Sequence, residues 1–169
     1  MKRLIFLVLL VSSFAKASTE DIKSLANINK GNAMVFGGAN FSQTFNGNQL
    51  SGSMGIDIGF GYFLLPGLAL GFSASADAGT NQKLVALGGP LAHYFFFKEE
   101  TLGTYIQVRY LQGFTQTTIR GRVLLNIGLD FFLTTSVAFG PNLSFGHTFG
   151  RNSSDYDRVI LGANFAIYL

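Results

Sequence analysis

The chain has 169 residues, with no Cys, no Trp, 18 Phe and 21 Gly. That length suits one domain, and the lack of Cys excludes a disulfide frame, a thiolate metal site and a lipidated N-terminal Cys. It is 48% hydrophobic but only 12% charged, about half the charge of an average soluble domain, so a membrane protein is expected.

The N-terminus reads as a secretory signal peptide over residues 1–17. Lys2 and Arg3 form a basic start, Leu4 to Val11 an apolar core, and Ala15-Lys16-Ala17 an A-x-A cleavage site that leaves Ser18 as the new N-terminus. An uncleaved anchor is the alternative, but the apolar run is short for one. The net charge of +3 includes Lys2, Arg3 and Lys16. Without them basic and acidic residues balance, and the clustered basic footprint of a nucleic-acid binder is lacking. Residues 18–31 are polar and mixed. Ser18 or Thr19 could cap one helical turn containing Ile22 and Leu25, although a periplasmic tail is the plainer expectation.

Beyond residue 15 no stretch approaches the roughly 18–20 uninterrupted apolar residues of a spanning helix. Closed barrels are the other structure that satisfies its backbone in lipid. From Ala33 onward the pattern has period two, which marks strands with two unlike faces. Met54, Ile56, Ile58, Phe60 and Tyr62 alternate with Ser53, Gly55, Asp57, Gly59 and Gly61. In a membrane barrel the large face meets lipid and the small polar face points inward. The same alternation places Leu70 and Phe72 opposite Ser73 and Asp77, and Tyr105, Gln107 and Arg109 opposite Ile106, Val108 and Tyr110. It also sets Val123, Leu125 and Ile127 against Arg122, Asn126 and Asp130, and Phe139, Leu143 and Phe145 against Asn142 and Ser144. Val159, Leu161, Ala163, Phe165, Ile167 and Leu169 share one face of the last segment.

Eight strands are predicted, over 33–45, 51–64, 68–78, 84–96, 104–117, 119–133, 137–146 and 157–169. The fold class is therefore all-β, an eight-stranded antiparallel up-and-down transmembrane β-barrel over residues 32–169. The facing of the first and fourth strands stays open, since Val85, Leu87 and Leu91 compete with Leu84, Ala86, Pro90 and Tyr94. Leu65-Pro66-Gly67, Phe97 to Gly103 and Thr134-Thr135-Ser136 read as turns at one end. Residues 46–50, 79–83, 117–119 and 147–156 read as short loops at the other. Tyr62, Phe63, Tyr94, Phe95, Phe96, Phe97, Phe131, Phe132 and Tyr168 crowd the turn end and are expected to form a periplasmic aromatic girdle at the headgroup level, with Tyr62, Tyr94, Phe96, Phe131 and Tyr168 as its candidate residues. Residues 59–71 and 128–140 echo one another at Gly59/Gly128, Phe63/Phe132, Leu64/Leu133, Ala69/Ala138 and Gly71/Gly140, as two hairpins built alike would.

Phe36-Gly37-Gly38-Ala39-Asn40-Phe41-Ser42, then Gly61-Tyr62-Phe63-Leu64 with Leu68-Ala69-Leu70-Gly71, and again Asp130-Phe131-Phe132-Leu133, resemble the hairpins of the small eight-stranded outer-membrane β-barrel proteins, often described as porin-family or outer membrane protein beta-barrel domains. The resemblance covers residues 32–169. It implies a place in the outer membrane of a double-membraned bacterium, a monomer in outer-membrane lipid, and periplasmic chaperones and barrel-insertion machinery as partners in biogenesis. It says little of function, because such barrels include structural proteins, adhesins and a few enzymes. Family chains usually end in an aromatic residue. Ile167-Tyr168-Leu169 departs from that.

An eight-stranded barrel has room inside for side chains and little else. Asp57, Asp77, Arg109, Arg122 and Asp130 are expected to form a lumen charge network, with Asp57 or Asp130 against Arg109 or Arg122, because an isolated buried charge is costly. Such a network either plugs the barrel or gates a narrow ion path. Catalytic residues are not expected. His147 near Ser153, Ser154 and Asp155 lacks the His-x-Ser spacing of the outer-membrane lipid A deacylases that this arrangement resembles, since His147 is followed by Thr148 and Phe149. His93 is expected to hydrogen-bond at the interface or in the lumen. Two distant His without Cys make no metal spacing. Glu99-Glu100 is a solvated turn pair, and Gly37-Gly38 and Gly88-Gly89-Pro90 lie in strands rather than before a helix. No cofactor or nucleic acid is expected. The leading expectation is a non-catalytic barrel contributing to envelope integrity or surface interaction. A narrow channel is second and a lipid-modifying enzyme third. A soluble barrel holding a lipid is the rival architecture, with large residues turned inward.

Overall fold

The computed structural model describes residues 28–46, 49–79, 84–99, 101–113, 120–150 and 155–169. The signal peptide, most of the 18–31 tail, Glu100, Ser153 and Ser154 lie outside the described residues. Eight strands follow in chain order: β1 (Ala33–Asn46), β2 (Gln49–Leu65), β3 (Leu68–Gly79), β4 (Val85–Lys98), β5 (Leu102–Gly113), β6 (Arg120–Phe132), β7 (Val137–Gly150) and β8 (Tyr156–Tyr168). Each pairs antiparallel with its neighbour, and β1 closes on β8, with Val35 opposite Ile167. Closure leaves no open edge, which is the condition for a sheet in lipid.

The period-two pattern decides the facing. Met54, Ile56 and Ile58 are 62–70% exposed, and Phe72, Phe139, Phe145 and Leu161 are exposed with them. This is the opposite of the soluble rival. In β1, Met34 and Ser42 are buried while Val35 and Phe41 face out. In β4, Leu87, Leu91, His93 and Phe95 face in, and Ala86, Pro90 and Phe96 face out. Both open facings are thus settled, β4 being the strand that sends its large residues inward. Most boundaries agree with the sequence expectation to within two residues, and residues 114–117 of the expected fifth strand lie outside the described residues. β7 runs on to Gly150, so His147 is a strand residue opposite Val123 and Asp157 rather than a loop residue. Ladder pairing on both sides outweighs the polar composition of HTFG.

The turn between β2 and β3 is Leu65-Pro66-Gly67-Leu68. Pro fixes φ at its first central position, and Gly67 takes φ +78°, the conformation a type II turn needs at its second. The sequence echo has a steric counterpart. Phe63 and Phe132 face inward, Ala69 and Ala138 are fully buried, and a Cβ at Gly71 or Gly140 would run into the carbonyl oxygen of Phe60 or Leu129 on the preceding strand.

Candidate functional site: the barrel interior

The registers order the inward side chains into layers along the axis. At the turn end lies an apolar cluster of Met34, Phe63, Phe95, Tyr105, Phe132 and Tyr168. Phe95 sits at its centre, with ring centroids 5.9–6.4 Å from Tyr105, Phe132 and Tyr168. Ile28 belongs to this cluster and is fully buried. The chain before β1 folds back against the end of β2 and the β2–β3 turn. Gly67 N donates to Ile28 O at 3.0 Å, Gly31 N to Phe63 O at 2.9 Å, and Phe63 N to Asn32 O at 2.8 Å. The last residues of the expected tail therefore stopper this end.

A polar layer follows. Arg109 Nη1 lies 3.0 Å from Asp57 Oδ1, and Asn40 Nδ2 donates to Asp57 Oδ2 at 2.8 Å. Among the described residues no arginine lies within ion-pair distance of Asp130. Tyr168 Oη donates to its Oδ2, and Asn164 Nδ2 to its Oδ1 at 3.0 Å. Asn164 Oδ1 in turn accepts from Tyr105 Oη at 3.1 Å and Asn142 Nδ2 at 2.8 Å. Gln107 Nε2 donates to His93 Nδ1 at 3.3 Å, and the His93 ring stacks on Tyr105. The space left among these side chains is about 20 Å³, on the order of one water.

Beyond it, Leu87, Leu111, Leu124 and Ile160 form an aliphatic layer. At the loop end, Arg122 Nη1 and Arg158 Nη1 both donate to Asp77 Oδ2, at 2.6 and 2.9 Å. Arg158 Nη2 also donates to Tyr156 Oη at 3.3 Å.

Asp57, Asp77, Arg109, Arg122 and Asp130 thus all point inward, but in separate layers rather than one network. Asp57 meets Arg109, Asp77 meets Arg122, and Asp130 is held by neutral donors. Tyr62, Tyr94, Phe96 and Phe131 lie on the outward side at the turn end. Phe63, Phe95 and Phe132 point into the lumen instead, and so does Tyr168, which is 1% exposed, a correction to the place of these four in the expected girdle. Tyr168 is out of phase with Phe165, Ile167 and Leu169, and its hydroxyl supplies what Asp130 lacks. Arg158 went unnoticed, although it shares that inward phase. Asn164 and Ile28 were missed too, and nothing in the sequence around Ile28 marks it as a plug.

His147 faces outward, with Nδ1 2.8 Å from Asp157 Oδ1; the side chains are 52% and 79% exposed. Among the described residues no group of three or more His, Cys, Asp or Glu could hold a metal ion.

No protein-family model matches the chain, and no curated protein matches it. Solved structures do. Neisserial surface protein A superposes with TM-score 0.58 at 11% identity, covering 81% of this chain and 97% of its own. The N-terminal β-barrel domain of Pseudomonas aeruginosa OprF gives 0.51 at 18% identity, with 82% and 100% covered. The de novo designed protein TMB2.3 gives 0.50 at 15% identity, with 83% and 96% covered. The chain has the fold of the small eight-stranded outer-membrane β-barrels.

Proposed function

We propose that this chain is exported by a cleaved signal peptide and serves in a bacterial outer membrane as a closed, non-catalytic monomeric barrel that contributes to envelope integrity or surface interaction. The observation that carries the reading is the filled lumen. Ile28 and the aromatic cluster occupy the turn end, and Asp57–Arg109 and Asp77–Arg122–Arg158 span the interior. The spaces among them are about 20 and 10 Å³, where conduction needs a continuous aqueous path. The partners of such a barrel are outer-membrane lipid and, during biogenesis, periplasmic chaperones and the insertion machinery.

The test is single-channel recording from the refolded barrel in a planar bilayer, beside a heat-modifiability gel that reports folding. Folded protein without discrete openings is expected. Steady openings lost on substituting Asp57 or Arg109 would replace the plugged reading with that of a narrow channel. A lipid-modifying activity has less support. The His147–Asp157 pair faces outward, but no nucleophile is hydrogen-bonded to it among the described residues.

A further inference from the structure

The loop-end cluster is short of negative charge. Arg122 and Arg158, each 4% exposed in their side chains, share one carboxylate and, indeed, one oxygen of it. In water the excess would be screened. Here the cluster is buried beside Leu87, Leu111, Leu124 and Ile160, Asp57 is already matched by Arg109, and an uncompensated buried charge is strongly unfavourable.

Among the described residues, none on this side supplies the missing charge. In sequence, the connecting segments 47–48, 80–83, 114–119 and 151–154 contain Lys83 and Arg151 and no carboxylate. Asp157 is turned outward on His147, and Asp155 is exposed. Three buried polar atoms at the same place have no hydrogen-bond partner among the described residues: Arg122 Nε, Arg158 Nε and Thr148 Oγ1. Arg122, Arg158, Thr148, Asp77 and Leu87 line a common cavity of about 10 Å³. That volume is at the threshold for one water. The cavity has no room for phosphate, sulfate or a carboxylate, so any occupant is a single small particle, and a halide seats there with a small outward movement of the arginine side chains.

We propose that this pocket binds a single halide, chloride in natural surroundings, at the loop end of the lumen. Arg122 and Arg158 hold it by charge and by N–H donors, and the Thr148 hydroxyl adds a neutral donor. Together with Asp77 the ion balances the two guanidiniums. A water in the same space would meet the hydrogen-bonding demand but leave the charge excess, which is why the ion is preferred.

The experiment uses the refolded full barrel in detergent, whose thermal midpoint is followed by circular dichroism at constant ionic strength as sodium gluconate is exchanged for sodium chloride. A ligand that binds the folded state alone raises the midpoint progressively with its concentration. The expected result is a rising midpoint in the parent barrel, a flat one in Arg158→Gln, and a weakened rise in Thr148→Val. Crystals grown in bromide should show an anomalous peak within hydrogen-bond distance of Arg122 Nε and Arg158 Nε. A parent midpoint indifferent to the exchange, with no bromide peak in the pocket, overturns the proposal and leaves a water there. A chloride dependence that persists unchanged in Arg158→Gln also overturns it, by placing the ion elsewhere. Neither outcome depends on whether the barrel conducts.

Discussion

The two ends of the lumen solve the same problem of filling space by opposite means. At the turn end, Phe63, Phe95, Phe132 and Tyr168 pack with Ile28 into an apolar plug, and Asp130 beside it is satisfied by neutral donors. At the loop end the filling is ionic, two guanidiniums on one carboxylate. Apolar packing stabilises without directional demands, so it tolerates relaxation around a lost atom. A buried charged group is bound to its partners, and removing one strands the others. The turn end should therefore respond to volume and the loop end to charge.

Four substitutions separate these responses, each read as a change in unfolding free energy by urea titration of the refolded barrel. Asp77→Asn should have the largest effect, a loss of about 3–5 kcal/mol, because it leaves Arg122 and Arg158 facing one another with no carboxylate. A smaller loss than that of Ile28→Ala would erase the contrast between the ends. Ile28→Ala should cost about 2–4 kcal/mol as a cavity in the turn-end plug. Its cost should not change with the anion present, whereas that of Asp77→Asn should. Tyr168→Phe keeps the ring and removes the donor to Asp130, for a loss of about 1.5–3 kcal/mol, the range for hydrogen bonds to charged groups. A neutral result would mean that packing alone matters at this end. On the outer face, His147→Ala breaks an exposed pair with Asp157 and should cost under about 1 kcal/mol. A larger loss would point to an additional partner of the imidazole.

Much of this was legible from residue alternation. Met54, Ile56 and Ile58 against Asp57 and Gly59 specify the outward face of β2, and Arg109, Arg122 and Asp130 fall in the inward phase of their strands. The first and fourth strands were ambiguous for a physical reason. β4 carries Leu87, Leu91 and Phe95 inside and Ala86 and Pro90 outside, so residue size runs against the usual rule where the plug needs bulk. Tyr168, like Phe63, Phe95 and Phe132, was misassigned because aromatic residues near a turn suit both a headgroup belt and a turn-end plug. Only its phase relative to Phe165 and Ile167 distinguishes the two.

The sequence by itself determined an eight-stranded barrel with a lipid-type exterior, because side-chain alternation is a local property with period two. Which inward residues meet was decided by the tertiary structure alone. Closing β1 on β8 with tilted strands brings together positions far apart in sequence, so Asp77 on β3 finds both Arg122 on β6 and Arg158 on β8, and Asp130 finds Tyr168 instead of an arginine. The same closure makes a mouth narrow enough for Ile28 to fill. Local pattern cannot carry that information, because the stagger between strands accumulates around the whole barrel before any two lumen side chains share a height.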